Sequence, residues 1–330
     1  MSQLTTNTTA FIESEQYSQF ILDNIHDYLL PEGMWRDVTD FSSGTTLNIK
    51  TVGTVTLQDA AEDTPLTYNP IDTGNITLTI TDYVGDAWKV SDDLREDGSQ
   101  VDALMSMRAM ESTRALGEQH ETRFLATADT AQDKTGGASG LNTVNGRAHR
   151  FIAGAGGTAR TANLTDFAGM KLAFDKAGVP ASGRIAIVDP LVEASLNTLT
   201  NVVSLDANPR FEGIVNEGFA RDHKFVRNIF GWDIWTSNYL PALTATEALD
   251  ASGQGLANTT SAVGDKANVF MCIADDSCKS VMHAWRRAPQ TEGWRESEER
   301  ADKFQVTSRF GFGAQRVDTL GVMISHTTDY

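Results

Sequence analysis

Several groups of residues carry types and spacings that could do chemistry. Gly154-Ala155-Gly156-Gly157-Thr158-Ala159 fits the permissive dinucleotide fingerprint, in which glycines let backbone amides approach a pyrophosphate at a helix N-terminus. Its context does not match. Only Phe151 and Ile152 precede it as strand material, and the next helical pattern begins several residues late, so it reads as a loop. The six histidines (His26, His120, His149, His223, His283, His326) include no pair at the spacing that puts two imidazoles on one helix face. No metal and no cofactor are expected. His120 lies on an apolar stripe and reads as a packing residue rather than a base. Asp275 and Asp276 beside Ser277 and Cys278 place a nucleophile near carboxylates, yet no nucleophile elbow or partner histidine motif accompanies them, and capping a helix suits them better.

Trp285-Arg286-Arg287 is the one local basic and aromatic knot, followed by Arg295, Arg300, Arg309 and Arg316. A groove for single-stranded nucleic acid combines such residues. Here Glu292, Glu296, Glu298 and Glu299 cancel the field, so the run reads as solvated ion pairs or subunit contacts. Composition agrees: a formal net charge of -17 argues against a surface that grips nucleic-acid phosphates, because that needs clustered Lys and Arg to displace counterions. The same acidity suits solubility in a crowded medium. The 330 residues suffice for two lobes or one elaborated domain. Cys272 and Cys278 form neither a disulfide framework nor a zinc spacing and are expected to be reduced, buried, small apolar groups. The start, MSQLTTNTTAFIESEQ, lacks a signal-peptide pattern, and no run nears the roughly 18 apolar residues that cross a bilayer, so a soluble protein made inside the cell is expected, with no membrane contact.

The elements that would position these groups are dominated by a long hairpin. Its arms are expected from Thr45 to Leu57 and from Asn75 to Val90, and an arm of that size reaches on the order of 40 Å. A compact chain of this length has a radius of gyration of about 20 Å. Leu47 and Ile49 alternate with polar residues, slip by one near Val52 and Gly53 as at a β-bulge, and resume at Val55 and Leu57. Ile76, Leu78 and Ile80 alternate with Thr77, Thr79 and Thr81. The tip carries Asp59, Glu62, Asp63 and Asp72 among Pro65, Pro70 and Gly74. A lone two-stranded ribbon is marginal in water, so Ile76, Leu78 and Ile80 are expected to meet another subunit, with Asp59, Glu62, Asp63 and Asp72 facing its basic groups.

Residues 1–10 read as a frayed tail and Ser14 to Leu30 as a helix stopped by Pro31, with Tyr17, Phe20, Ile21, Ile25 and Tyr28 on one stripe. Gln100 to Ala128 forms a helix of about eight turns. Val101, Met105, Ala109 and Leu116 make one stripe, while Leu104, Met107 and Leu125 flank the charged one, so packed elements should sandwich it. Residues 129–162 are Gly/Ala/Thr-rich and read as an extended loop or a loose β-excursion. A helix capped by Asn163 or Thr165 ends at Gly178 and Pro180, Arg184 to Val188 is a buried strand, and Leu191 to Leu199 is a helix with Pro190 in its first turn. Later strands are expected at Lys224 to Phe230, Trp232 to Ser237, Val269 to Ile273, Phe304 to Phe312 and Gly321 to Ser325. The order argues for an α+β chain with discontinuous domains and no repeat.

This order of parts resembles one family. The segment Ile185-Ala186-Ile187-Val188-Asp189-Pro190, the stretch Phe230-Gly231-Trp232-Asp233-Ile234-Trp235-Thr236-Ser237-Asn238-Tyr239-Leu240-Pro241, and the run Arg309-Phe310-Gly311-Phe312-Gly313-Ala314-Gln315-Arg316-Val317 are similar to tailed-phage (Caudovirales-type) major capsid proteins. The similarity covers nearly the whole chain and is most specific at Gly-x-Asp-Ile...Ser-Asn-x-Leu-Pro. It implies the Hong Kong 97 type fold, with an N-terminal arm (1–44), an E-loop hairpin (45–91) lying across the neighbouring subunit, and a peripheral domain (92–162) whose spine is the helix at 100–128. An axial domain (163–288) and a return to the peripheral domain (289–330) follow.

The function this implies is a non-enzymatic coat protein, made in the host cytoplasm and located in the virion, that assembles with itself into hexamers and pentamers of an icosahedral shell around double-stranded DNA. The implied partners are a separate scaffolding protein, since only about 44 residues precede the hairpin, a portal protein at one vertex, a possible decoration protein, and DNA bound without sequence specificity. Nothing marks partners for a covalent Lys to Asn cross-link. Two rivals stand beside this reading: an encapsulin-like compartment enclosing a cargo enzyme, and a nucleotide-dependent enzyme built on the glycine loop.

Overall fold

A computed structural model of the chain describes residues 29–39, 44–53, 55, 57–60, 62, 63, 65–68, 70–98, 101–132, 134, 143–154, 160–198, 228–249 and 260–326. The expected N-terminal helix up to residue 28, the loop at 155–159, His26, His223 and the strand expected at 224–227 lie outside the described residues.

The strands in chain order are β1 (Arg36–Asp37), β2 (Thr46–Val52), β3 (Thr73–Thr79) and β4 (Asp82–Ser91), followed by helices α1 (Asp92–Asp97) and α2 (Val101–Ala131). Next come β5 (Thr143–Val144), β6 (Arg147–Ala148), β7 (Arg150–Ile152), α3 (Leu164–Lys176), β8 (Arg184–Val188) and α4 (Pro190–Thr198). The chain closes with β9 (Asn228–Ile229), β10 (Trp232–Thr236), β11 (Lys266–Cys272), β12 (Val281–Glu296), β13 (Ala301–Ala314) and β14 (Leu320–Ser325).

These strands build two principal sheets. One has six strands in the order β7-β14-β11-β8-β10-β9, and the other four in the order β1-β12-β13-β4. In the first, β8 and β11 are buried over nearly their whole length because both faces are covered. Phe167, Met170 and Phe174 of α3 and Val192 and Leu196 of α4 pack on one face around Trp232 and Phe270. Phe124, Leu125 and Ala128 of α2 pack with Ile185, Ile187, Val269 and Met271 on the other. Asn163 caps α3 through a reciprocal capping box with Asp166, choosing between the two expected caps.

Helix α2 has 31 residues, about 46 Å. Its C-terminal half is sandwiched as expected, whereas Leu104 and Met110 in its N-terminal half are exposed. Its length lets it bridge the sheets: beyond the six-stranded core, Asp86 of β4 accepts from Arg108 Nη2 at 2.7 Å and from Ser112 Oγ at 2.6 Å.

The hairpin is shorter than expected. The second arm breaks at Ile80 and Thr81, so that only β3 pairs with β2, in unbroken register from Thr46↔Thr79 to Val52↔Thr73. β4 then changes partner and pairs with β13 from Asp82↔Phe310 to Ser91↔Ala301. Alternation continues across the break, so a period-2 pattern cannot show where a strand leaves one neighbour for another. The bulge expected at Val52 and Gly53 is absent; the slip there marks the end of β2. Register shifts lie instead in β12, between Trp285 and Arg287 and between Arg287 and Gln290, where Pro289 is accommodated. Strand β12 itself was not expected from residues read by their charge. The boundary expected between 288 and 289 falls inside this strand, and β14 runs in the six-stranded sheet. Asp275 and Asp276 cap no helix: they form a turn in which the Cys278 and Lys279 amides donate to the Asp275 carbonyl. Cys272 is buried as expected, but Cys278 is only half-buried.

Candidate functional site

The four-stranded sheet presents two faces, and its alternation assigns each a different task. On the face toward α2, Phe310 and Phe312 of β13 and His283 and Trp285 of β12 meet His120 and Phe124 of the helix. His120 stacks on Trp285 at 4.9 Å between ring centroids, and its Nε2 lies 3.0 Å from His283 Nε2. One ring donates and the other accepts, which requires the accepting ring to be neutral and disfavours charge on both rings at once. Burial pushes His120 down to about 3, helped by the neighbouring His283, and pushes His283 down to about 4, against the pull of Asp37. His120 is thus a packing residue, as its stripe suggested. Its partner, 163 positions away, carries no sequence signal. A cavity of about 460 Å³ opens beside the pair, lined by Trp35, Leu116, Glu121 and Lys279 among others.

The opposite face receives the hairpin. Met282 and Ala284 of β12 form a cluster with Leu78 and Ile80, edged by Leu47, Ile49 and Ile76. Gly311 and Gly313 leave the room for this approach. The expected intersubunit role of three apolar residues is therefore corrected in part. Leu78 is 0% exposed within its own chain and Ile80 is also buried, because β3 finds its apolar partner in the parent sheet; Ile76 is half-buried.

Farther out, the ribbon stands free. Gly53 N donates to the Asp72 carbonyl at 2.8 Å, and Gln58 exchanges two hydrogen bonds with the Thr67 backbone. The pairing thus persists beyond β2 and β3 to a turn where Asp63 takes a φ of 63°. Tyr68 is 99% and Leu57 91% exposed, and Val52, Val55, Leu66 and Ile71 are exposed with them. Asp59, Glu62, Asp63 and Asp72 are exposed around these apolar groups. The structure brings the four carboxylates together on one appendage. The apolar residues beside them, rather than Leu78 and Ile80, are the uncovered ones. Leu66, Tyr68 and Ile71 were legible only as apolar exceptions within a turn-rich stretch.

Between 287 and 303 the charged run resolves into ion pairs, as one of its two readings held. Arg295 bonds Asp92 at 2.7 Å and Asp302 at 3.2 Å, Lys303 reaches Glu299 at 3.1 Å, and Arg287 meets Glu292 at 2.7 Å. These contacts tie α1 and β4 to the end of the β12–β13 ribbon. Asp92 is held below the usual carboxylate range, first by its hydrogen bond from Arg295.

The Gly154 amide donates to Asp166 Oδ2 at 3.0 Å, as does the Asn163 amide at the start of α3, so a carboxylate of the chain already occupies that amide. Burial raises Asp166 to about 6 against both bonds. Among the described residues, no group of three or more His, Cys, Asp or Glu side chains is placed to hold a metal ion. No helix among them is long and apolar enough to cross a membrane.

Comparison with known proteins agrees with this geometry. A family model described as phage capsid protein matches residues 74–324. A search of curated proteins by sequence finds no match. Among solved structures, the capsid of Cyanophage P-SCSP1u is 18% identical and aligns over 98% of this chain and 97% of that one, with a TM-score of 0.68. The mature capsid of bacteriophage PhiM1 is 15% identical over 98% of this chain and 96% of that one, with a TM-score of 0.67. The capsid of Ralstonia phage GP4 is 10% identical over 99% of each chain, with a TM-score of 0.63. The fold is the α+β Hong Kong 97 type capsid fold, as the resemblance in the sequence implied.

Proposed function

The chain belongs to the phage capsid protein family, and from that premise we propose how a major capsid protein of the virion shell uses the surfaces described above. The free end of the β2–β3 ribbon serves as the E-loop and lies over a neighbouring copy. Helix α2 and the four-stranded sheet act as the peripheral domain, and the six-stranded sheet, including β14, as the axial domain around which copies gather. Repeated by symmetry, weak apolar contacts of this kind add up to hexamers and pentamers of an icosahedral shell around double-stranded DNA. The single observation that carries this reading is the uncovered apolar end of the ribbon, with Tyr68 99% exposed beside Leu57.

In this reading the protein acts without catalysis, is made in the host cytoplasm, assembles with the help of a separate scaffolding protein, meets a portal protein at one vertex and offers its outer surface to decoration proteins. Its net charge of -17 suits a lining that does not grip the genome during packaging. The family match does not favour the encapsulin-like alternative.

Electron microscopy of the chain expressed with and without its neighbouring genes tests the reading. Closed shells built of hexamers and pentamers, filled with DNA in the infected cell, are expected. Only open aggregates, or shells filled with a cargo protein, would overturn it, and tight binding of a dinucleotide to the purified chain would reopen the enzymatic alternative. An inner surface that maps as mainly basic would remove the role given to acidity.

A further inference from the structure

The face of the four-stranded sheet that carries the hairpin also carries a concentration of positive charge at the hairpin's root. Arg286, Arg287 and Arg309, with Thr81 and Tyr83, line an open hollow of about 580 Å³. Arg287 and Arg309 are direct cross-strand partners. Like charges in that position destabilise a sheet, so folding alone gives no reason to place them there. Glu292 answers Arg287 at 2.7 Å, whereas Arg309 forms no ion pair among the described residues. Arg287 also donates to Gln290 Oε1 at 3.1 Å, so Arg309 is the cation on which the hollow's demand for a carboxylate rests, in a chain with 44 acidic and 27 basic residues.

The complementary charge sits at the other end of the same appendage. Asp59, Glu62, Asp63 and Asp72 are exposed and form no ion pair among the described residues. They cannot return to their own root. Seven paired residues on each arm hold the tip about 23 Å from Thr81, and the Gln58–Thr67 bonds carry the ribbon farther still. The near-complete exposure of Leu57 and Tyr68 agrees with a tip that stands away from the body of the described residues.

We propose that the arginine hollow at the hairpin root receives the acidic hairpin tip of a second copy of this chain. The proposal rests on the shell-subunit reading and deepens it by naming the acceptor. Tip and root are different patches, so the contact is heterologous: each copy gives its tip to one neighbour and takes the tip of another. Such a contact generates a ring when its rotation closes. The electrostatic part orients and registers the tip, while Leu57, Tyr68 and their neighbours supply the apolar burial. Both patches lie at the surface, so added salt should weaken the contact.

Reciprocal charge reversal tests this in the full chain, with particle yield read by sedimentation and electron microscopy and folding read by thermal melting of the unassembled chain. Asp59→Lys with Glu62→Lys and Asp63→Lys reverses the tip, and Arg286→Glu with Arg309→Glu reverses the root. Each set alone should lower particle yield by roughly tenfold or more with little change in melting, and the two combined in one chain should recover most of the yield. An unchanged yield on reversing the root, or a combined variant no better than either single set, overturns the proposal. If the root-reversed chain fails to fold, Arg309→Gln replaces it, and full yield from that variant is equally fatal. A native chain that forms no particles under any condition instead defeats the shell reading, and this contact falls with it. Binding of a short DNA duplex by the native unassembled chain, abolished by Arg309→Glu while particle yield persists, assigns the hollow to nucleic acid and overturns the proposed contact.

Discussion

Gly311 passes beneath the backbone of Ile80 so closely that a Cβ at position 311 would stand 2.8 Å from Ile80 Cα and 2.6 Å from the Thr79 carbonyl oxygen. This approach seats the root of the hairpin on β13, and backbone on both sides leaves nothing to give way. Gly311→Ala should lift the hairpin from the sheet and cost about 1–3 kcal/mol, measured by denaturant unfolding. Gly313→Ala should cost less, because its nearest neighbour is the movable Leu78 Cδ1 at 2.9 Å. Equal costs at the two positions would contradict the close packing of backbone on backbone.

The hairpin's apolar residues divide into an intramolecular set and an uncovered set, and the two should respond differently. Leu78→Ala empties a fully buried site and should destabilise the unassembled chain by about 2–5 kcal/mol. Tyr68→Ser and Leu57→Ser should leave its melting temperature unchanged and reduce particle yield. A melting shift from the Tyr68 variant would mean that the parent chain covers that side chain after all.

A second internal relationship joins three distant segments. Arg150 of β7, fully buried, bonds Asp129 of α2 through Nη1 at 2.8 Å and Glu247 through Nη2 at 2.7 Å and Nε at 2.8 Å. Removing the cation leaves Glu247 buried without its cation and Asp129 held by Lys134 alone. Arg150→Met should therefore cost about 3–5 kcal/mol, seen as a lower denaturation midpoint. Recovery of stability in the double variant Arg150→Met, Glu247→Met, which leaves the Asp129–Lys134 pair in place, would show that the loss came from the unpaired carboxylate; no recovery would point to packing instead.

Acid should weaken the unassembled chain through the buried imidazoles. His120 and His283 titrate near 3 and 4 in the folded chain and near 6.5 when unfolded, so between these values the unfolded state binds more protons. Their contribution is present above pH 6.5 and is lost as pH falls toward 4. Burial lowers His149 and so adds in the same direction. Asp166, raised to about 6, opposes them, because it binds its proton first in the folded state. The three imidazoles outnumber the one carboxylate, so unfolding free energy should fall between pH 6.5 and 5. Replacing His120 and His283 by glutamine, which keeps a hydrogen bond and removes both titrations, should flatten that fall. An unchanged acid limb would rule out the pair as its cause.

Much of the six-stranded sheet was legible because its signals are local. The capped helix beginning after Asn163, the all-apolar strand at Arg184–Val188 and the Pro190 start of the next helix each follow from a few adjacent residues. The hairpin was legible as alternation, but its length was not, since a strand that exchanges β2 for β13 at Thr81 keeps the same period. β12 was hidden by Pro289 and by its charges, which find partners on α1 and β13 rather than in water alone.

The amino-acid order alone determined the type of most elements, the acidity of the hairpin tip and the resemblance to a capsid subunit, because propensity, capping and period act over a few residues. Only tertiary structure decided which apolar residues remain uncovered, that His120 would meet His283, and that Arg287 would face Arg309 at the hairpin's root. Those outcomes depend on which strands become neighbours across the chain, and pairing at long separation is set by the packing of the whole sheet rather than by any stretch of it.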